Sequence, residues 1–364
     1  MSSHTLIYLP ERKDVIPEHC FQRSTLRSMS YVFIDLSIAT VLYLASNYIY
    51  HPALPWFAPY ILWPIYWVCQ GCILTGVWVL AHECGHRAFS DNVMFGDLVG
   101  LVLHSALLVP YHSWRISHAL HHQNTNSMEK DEVFIPVTRS EVGHFTPFDE
   151  IPHPLSVAKR VLNIFMMLLF GWPAYLLKHT TGRKYGRFTS HFDPWAPLFR
   201  SGQRHLIILS DLVLLGVLGG LGYLGYTHGW KWLVNVYVVP YLIVNMWLVL
   251  ITDLQHTDMR VPHYRGKEWT WLKGALCTLD RDYGVLNSVF HHIGDTHVAH
   301  HLFHRMPHYH AVEATVALRQ KLGSYYGKHG KSEGLRGIAE ALWETTTHCV
   351  CVEDTGNVLF FKDR

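Results

Sequence analysis

The sequence predicts an all-α integral membrane protein: four transmembrane helices under a cytosolic helical cap that holds a pair of metal ions on histidine. Three observations predict it. Four apolar stretches, roughly residues 31–50, 56–81, 205–226 and 232–252, are each long enough for a bilayer core, which takes about 20 helical residues. Three histidine clusters at helical spacing lie beside or between those stretches. The composition, 49% apolar and 16% charged over 364 residues, is too apolar for an ordinary water-soluble chain of this length.

Along the chain, residues 1–30 are polar and carry Arg12, Lys13, Arg23 and Arg27, with no early apolar core, so they do not read as a secretory signal. They are placed in the cytosol. The first two spans are joined by HPALP, without Lys or Arg, and the last two by THGWK, with Lys231 alone. Such joints suit the far side of the membrane. Residues 97–109 are too short to span. Residues 161–177 are borderline and interrupted by Gly171 and Pro173. Basic residues flank them on both sides: Lys159 and Arg160 before, Lys178, Arg183, Lys184 and Arg187 after. That pattern places both ends in the cytosol, as an interfacial or re-entrant segment. Parity agrees, because a span here would put the histidine clusters on opposite faces. Residues 82–204 and 253–364 are then cytosolic, and residues 1–364 form one domain. A net charge of +2 gives no case for nucleic acid. The seven cysteines are scattered and odd in number, with no secreted-type framework. Cys69 and Cys72 form C-x-x-C inside an apolar run and read as packing.

The first cluster is His82-Glu83-Cys84-Gly85-His86, where spacing of four puts both histidines on one helix face. The second holds His118, His121 and His122, and the third His297, His300 and His301, both at i, i+3 and i+4. A single such pattern is more often a hydrated surface feature than a ligand set. Three of them on one side of a membrane point to metal. Imidazole suits zinc, copper, iron and nickel alike. Eight histidines exceed what one zinc takes and are enough for two ions with open positions. His256, at the end of the fourth span, is a ninth candidate, with Asp253 one turn earlier to orient it; a solvated loop histidine is the competing reading. Glu129, Asp131 and Glu132 follow the second cluster and could hold ligand rings by their other nitrogen, or could simply be solvated. Asp295 precedes the third cluster as a similar candidate. Two other classes compete. His82-Glu83-x-x-His86 is literally the zinc-protease motif H-E-x-x-H, which leaves the other two clusters unexplained. A metal transporter would need a file of polar residues through the spans; Asp35, Asp211, Asn235 and Asn245 are scattered.

The chain resembles the membrane fatty-acyl desaturases, and within them the delta-12 (oleate) type. The carrying segments are AHECGHRAFS (81–90), LHSALLVPYHSWRISHALHHQNT (103–125), ITDLQHTD (251–258), YRGKEWTWLKGALCTLDRDYG (264–284) and DTHVAHHLFHRMPHYHAVEAT (295–315). DTHVAHHLF and HECGH look like the delta-12 group, whereas YRGKEW and DRDYG are shared with omega-3 enzymes. Hydroxylases, acetylenases, conjugases and epoxygenases share the boxes too. Three positions depart from the pattern: Arg87, Ala119-Leu120 and Asp253.

The resemblance implies a non-haem di-iron centre on the box histidines, with O2 as co-substrate. It implies removal of two hydrogens from an oleoyl chain to leave a cis double bond at carbon 12. An unactivated methylene has no acidic proton and no leaving group, so side-chain acid–base chemistry alone would not serve, and no separate catalytic base is named. H-P-G-G, the haem-binding motif of a fused cytochrome b5, does not occur. A separate cytochrome b5 and its NADH-dependent reductase are the implied donors. The basic segment 178–204 offers a surface for an acidic donor or anionic headgroups, or simply a solvated flank. The tail VLFFKDR is similar to retrieval tails of reticulum-resident desaturases, or is a short strand, and the implied location is the endoplasmic reticulum membrane.

Overall fold

The structure, a computed structural model, describes residues 15–142, 153–323, 326 and 334–363. Arg12 and Lys13 of the polar N-terminal segment lie outside the described residues.

Helix α1 (Thr25–Ser46) starts where the Ser24 side chain accepts from the Arg27 amide, capping an otherwise orphan donor. Helix α2 (Ala58–Gly85) has 28 residues. At 1.5 Å per residue it is about 42 Å long, against roughly 30 Å of hydrocarbon, which leaves length for its histidine-bearing end to extend beyond the bilayer core. It is also the central helix, with 61% of its apolar window buried against 22% for α1. Gly71 makes that possible, since a Cβ there would sit 2.4 Å from the Ile243 side chain of the last long helix. Helices α3 (Val93–Ala106) and α4 (Tyr111–Asn124) are separated by a 106° bend, turned at Leu108 in the left-handed region.

Helix α5 (His153–Lys178) corrects one expectation. It runs unbroken through Gly171 and Pro173. The missing side chain of Gly171 lets Val249 pack against the helix, and apolar packing along this face outweighs the one backbone hydrogen bond that a proline removes. With α6 (Arg204–His228) and α7 (Trp230–His256), five helices rather than four are long and apolar enough to cross a membrane among the described residues. The outward faces of α1 and α6 are apolar, with Phe33, Val41, Leu212 and Leu215 exposed, as lipid requires and water does not. Helix α7 opens into a wide turn at Val234–Val238, ahead of Pro240. In a regular helix that ring would clash with the carbonyl four residues back, Val236. Here that carbonyl accepts from the Tyr66 hydroxyl at 3.2 Å.

The cap follows α7. It comprises α8 (Trp271–Leu276), α9 (His297–Leu302), α10 (Ala311–Leu322) and α11 (Gly334–His348). Strands β1 (His263–Tyr264) and β2 (Val358–Leu359) pair antiparallel, His263 opposite Leu359. The VLFFKDR tail therefore includes a short strand, and the Phe361 ring meets His263 edge-on at 5.2 Å. A second core, of Ile16, Cys20, Val298, Leu302, Ala314 and Leu318, ties the segment before α1 to α9 and α10. All seven cysteines are free; Cys72 is buried and Cys69 is exposed.

Candidate metal centre

The first histidine box is the last turn of α2. Arg87 ends the helix in the left-handed conformation (φ 59°); its amide donates to the Cys84 carbonyl and the Ala88 amide to that of Glu83, both at 3.0 Å. This is the Schellman arrangement, with arginine where glycine is usual. The second box lies on α4, and the third forms α9, whose three histidines are all buried.

Imidazoles converge from all three boxes. The ligand-capable nitrogens of His82, His86, His118, His122 and His300 lie within 4.8 Å of one another. Those of His121, His256 and His301 form a second such group. His297 joins it, with Nε2 3.1 Å from His256 Nε2. The H-x-x-H-H spacing thus divides its ligands. In α4 the i and i+4 rings, His118 and His122, serve the first group and the i+3 ring, His121, the second. In α9 the assignment is exchanged: His297 and His301 serve the second group and His300 the first. The two groups abut where the His122 and His301 rings stack at 4.0 Å.

The nitrogens are set up for cations. His82 and His86, and likewise His118 and His122, face each other Nε2 to Nε2 at 3.1 Å. Two nitrogens at right angles around one ion, with bonds of about 2.1 Å, would stand about 3.0 Å apart. Asp131 fixes His121: its carboxylate accepts from the Nδ1–H at 2.7 Å, which selects the tautomer that presents a bare Nε2. Thr125 does the same for His301. The Thr125 hydroxyl donates to the His121 carbonyl at 2.8 Å, so its oxygen accepts from His301 Nδ1 at 3.2 Å. Gly274 lets α8 reach this corner, since a Cβ there would lie 2.1 Å from the Thr125 carbonyl oxygen. Nε2 of His300 and of His301 is buried without a hydrogen-bond partner among the described residues. Burial, then neighbouring imidazoles, hold His86, His297, His300 and His301 well below the usual histidine range, so these rings are neutral and their lone pairs available. Nine imidazoles in two adjoining groups fit two metal ions.

The model of the family described as "Fatty acid desaturase" matches residues 61–332. The chain belongs to the fatty acid desaturase family. It is 51% identical over 346 residues to a delta(12)-fatty-acid desaturase of Vernicia fordii, covering 95% of this chain and 87% of that one. It is 52% identical over 341 residues to an omega-6 fatty acid desaturase, endoplasmic reticulum isozyme 1, of Glycine max, covering 94% and 85%. An oleoyl-12-hydroxylase of Ricinus communis is 46% identical over 346 residues, covering 95% and 86%.

The other carboxylates of this desaturase have different partners. Asp253 accepts from the Thr257 hydroxyl at 3.1 Å, while His256 Nδ1 has no partner. Asp295 binds His292 Nδ1 at 3.0 Å, away from the boxes. Glu132 pairs with His179 at 3.0 Å and accepts from the Tyr185 hydroxyl at 2.5 Å, while Glu129 is exposed. Glu83, the would-be base of a zinc-protease motif, accepts from the His308 amide at 3.0 Å and lies 3.4 Å from His82 Nδ1. It braces the first box against the chain after the third. His304, two residues past α9, was not singled out by the box spacing. Its ring centroid lies 5.3 Å from that of His86 and 5.4 Å from that of His122. Of the basic segment 178–204, Lys184 pairs with Glu141, and Arg187 donates to the Trp195 carbonyl.

Proposed function

We propose that this desaturase introduces a cis double bond at carbon 12 of oleoyl chains, giving linoleoyl chains, at two irons in the endoplasmic reticulum membrane. The single observation that carries the reading is the pair of adjoining all-imidazole groups, in a chain about half identical to delta-12 relatives over nearly its full length. His82, His86, His118, His122 and His300 would hold one iron, and His121, His256, His297 and His301 the other. Bound iron supplies the O2 activation that a saturated methylene demands. The overall balance is –CH2–CH2– plus O2, two electrons and two protons to –CH=CH– plus two waters. The protein's own part is to hold nine imidazole rings in place. Asp131 and Thr125 lock two of those rings in the tautomer that presents Nε2. The electrons would come from a separate cytochrome b5 and its reductase.

The reading includes four crossings, with the boxes and both termini cytosolic, and α5 lying along the interface. Contacts along and just past α5 support it. Arg160 donates to Thr347 of α11 at 2.5 Å and packs over Trp343, while His179, one residue past the helix, meets Glu132 beyond α4. Contacts from the first part of α5 to the cap and from just past its last turn to the segment after α4 support a path along the membrane surface rather than across it. The convergence of the second and third boxes also supports an even number of crossings between them.

Expression in a yeast that makes no dienoic acids tests the chemistry, with double-bond positions read by mass spectrometry. Linoleate is the expected product. Trienoic acid formed only from fed linoleate would replace this reading with an omega-3 one. A 12-hydroxy product would favour the chemistry named for the Ricinus relative.

A further inference from the structure

A second cluster of metal-binding side chains lies at the junction of the N-terminal segment and the cap. His19 and Cys20 stand on the 3-10 turn Glu18–Phe21; His310 and Glu313 stand at the start of α10. One ligand atom from each lies within 4.8 Å of the other three. His19 Nε2 is 3.0 Å from Glu313 Oε2 and 3.6 Å from Cys20 Sγ. The His19 and His310 rings meet edge-on at 5.5 Å. Ligand atoms tetrahedrally placed around one zinc, with bonds of about 2.0–2.3 Å, stand about 3.3–3.6 Å apart. A simple ion pair would need only His19 and Glu313. Here a buried thiol and a second imidazole converge on the same point.

We propose that His19, Cys20, His310 and Glu313 form a separate, structural site for a zinc-like divalent cation. One thiolate sulfur, two imidazoles and one carboxylate are a four-ligand set for zinc, whereas calcium and magnesium take oxygen. All four protein positions are filled, so the ion is closed to substrate, as structural sites are. Its place gives its role. The cation staples the segment leading into α1 onto α10, directly over the core that includes Val298, Ala299 and Leu302 of α9. The loop it closes runs from before the first span to just after the last box.

The test uses the full-length protein, purified in detergent with its histidine-box metal bound and dialysed against buffered zinc. Elemental analysis is expected to find about one zinc per chain beyond the box metal. His19→Ala and Glu313→Gln, both at half-exposed positions that leave the cores alone, should each lose that zinc while keeping the box metal. Cobalt(II) added instead should give a thiolate-to-metal charge-transfer band that Cys20→Ser abolishes. If Cys20→Ser does not fold, the two exposed variants still decide. Absence of the extra zinc, its retention in His19→Ala and Glu313→Gln, or its loss only together with the box metal would each overturn the proposal.

Discussion

At the residue scale, the centre depends on which nitrogen of each ring carries its proton. The second histidine of a box is useful only if its Nε2 is bare, and Asp131 achieves that for His121 through a buried 2.7 Å contact. Asp131 also accepts from the Asn126 and Val133 amides, which holds the carboxylate in place. Asp131→Asn keeps the shape but loses the charge and lets the amide turn the wrong group toward Nδ1. Removing a partner of this kind costs roughly 10- to 100-fold in metal affinity. The expected result is one iron lost per chain and one retained, read by elemental analysis; full retention of both would show that Asp131 has no orienting role. The sequence made Asp131, Asp253 and Asp295 equal candidates, because spacing shows proximity along a helix and not direction. Asp253 sits one turn before His256 but turns to Thr257, four residues on, and Asp295 turns to His292, three residues back. No pattern pointed to Glu83 bracing His308, since that contact spans 225 positions.

At the scale of the element, the boxes were legible and their division was not. Helical spacing of 3, 4 and 7 reveals a common face, but two ions within one face are separated only when a second helix comes opposite. The first and last long helices of the site extended into the histidines as anticipated, because α2 and α7 are continuous to Gly85 and His256. Helix α5 shows the limit of local propensity. Gly171 and Pro173 signalled a break, and packing against α7 overrode both. Its flanking charges were readable all along. They motivate the topological prediction: in sealed microsomes an impermeant maleimide should label both Ala158→Cys and Lys178→Cys from the cytosolic face. Labelling of one site only after permeabilisation would make α5 a true span and remove the four-crossing arrangement.

At the scale of the whole molecule, the metal centre is a cross-link as well as a reaction site. Buried histidines below their usual range bind fewer protons folded than unfolded. Their contribution to stability is therefore complete above the unfolded value of about 6.5 and is lost as pH falls through the lower folded values. Burial does this for His86, His297, His300 and His301 together, so the effects add in one direction. The metal-free protein should lose thermal stability steadily below about pH 6.5, and bound metal should move that decline to lower pH. A metal-free melting temperature flat from pH 7 to pH 5 would contradict the neutral-ring picture. At this scale the sequence disclosed a membrane protein with a one-sided histidine cap. The staple between residues 19 and 313 and the pairing of β1 with β2 join positions too distant in the chain for any periodicity to reveal.

The exchange of ligands between α4 and α9 has a consequence for how the enzyme is made. His300 completes one group, and His297 and His301 complete the other. Helices α2 and α4 supply four of the five imidazoles of the first group but only His121 of the second, to which α7 adds His256, so neither group is complete before α9 emerges. A chain halted ahead of His297 would have its membrane anchors in place yet lack His300 from one group and His297 and His301 from the other. Closing both groups therefore requires translation past the last box.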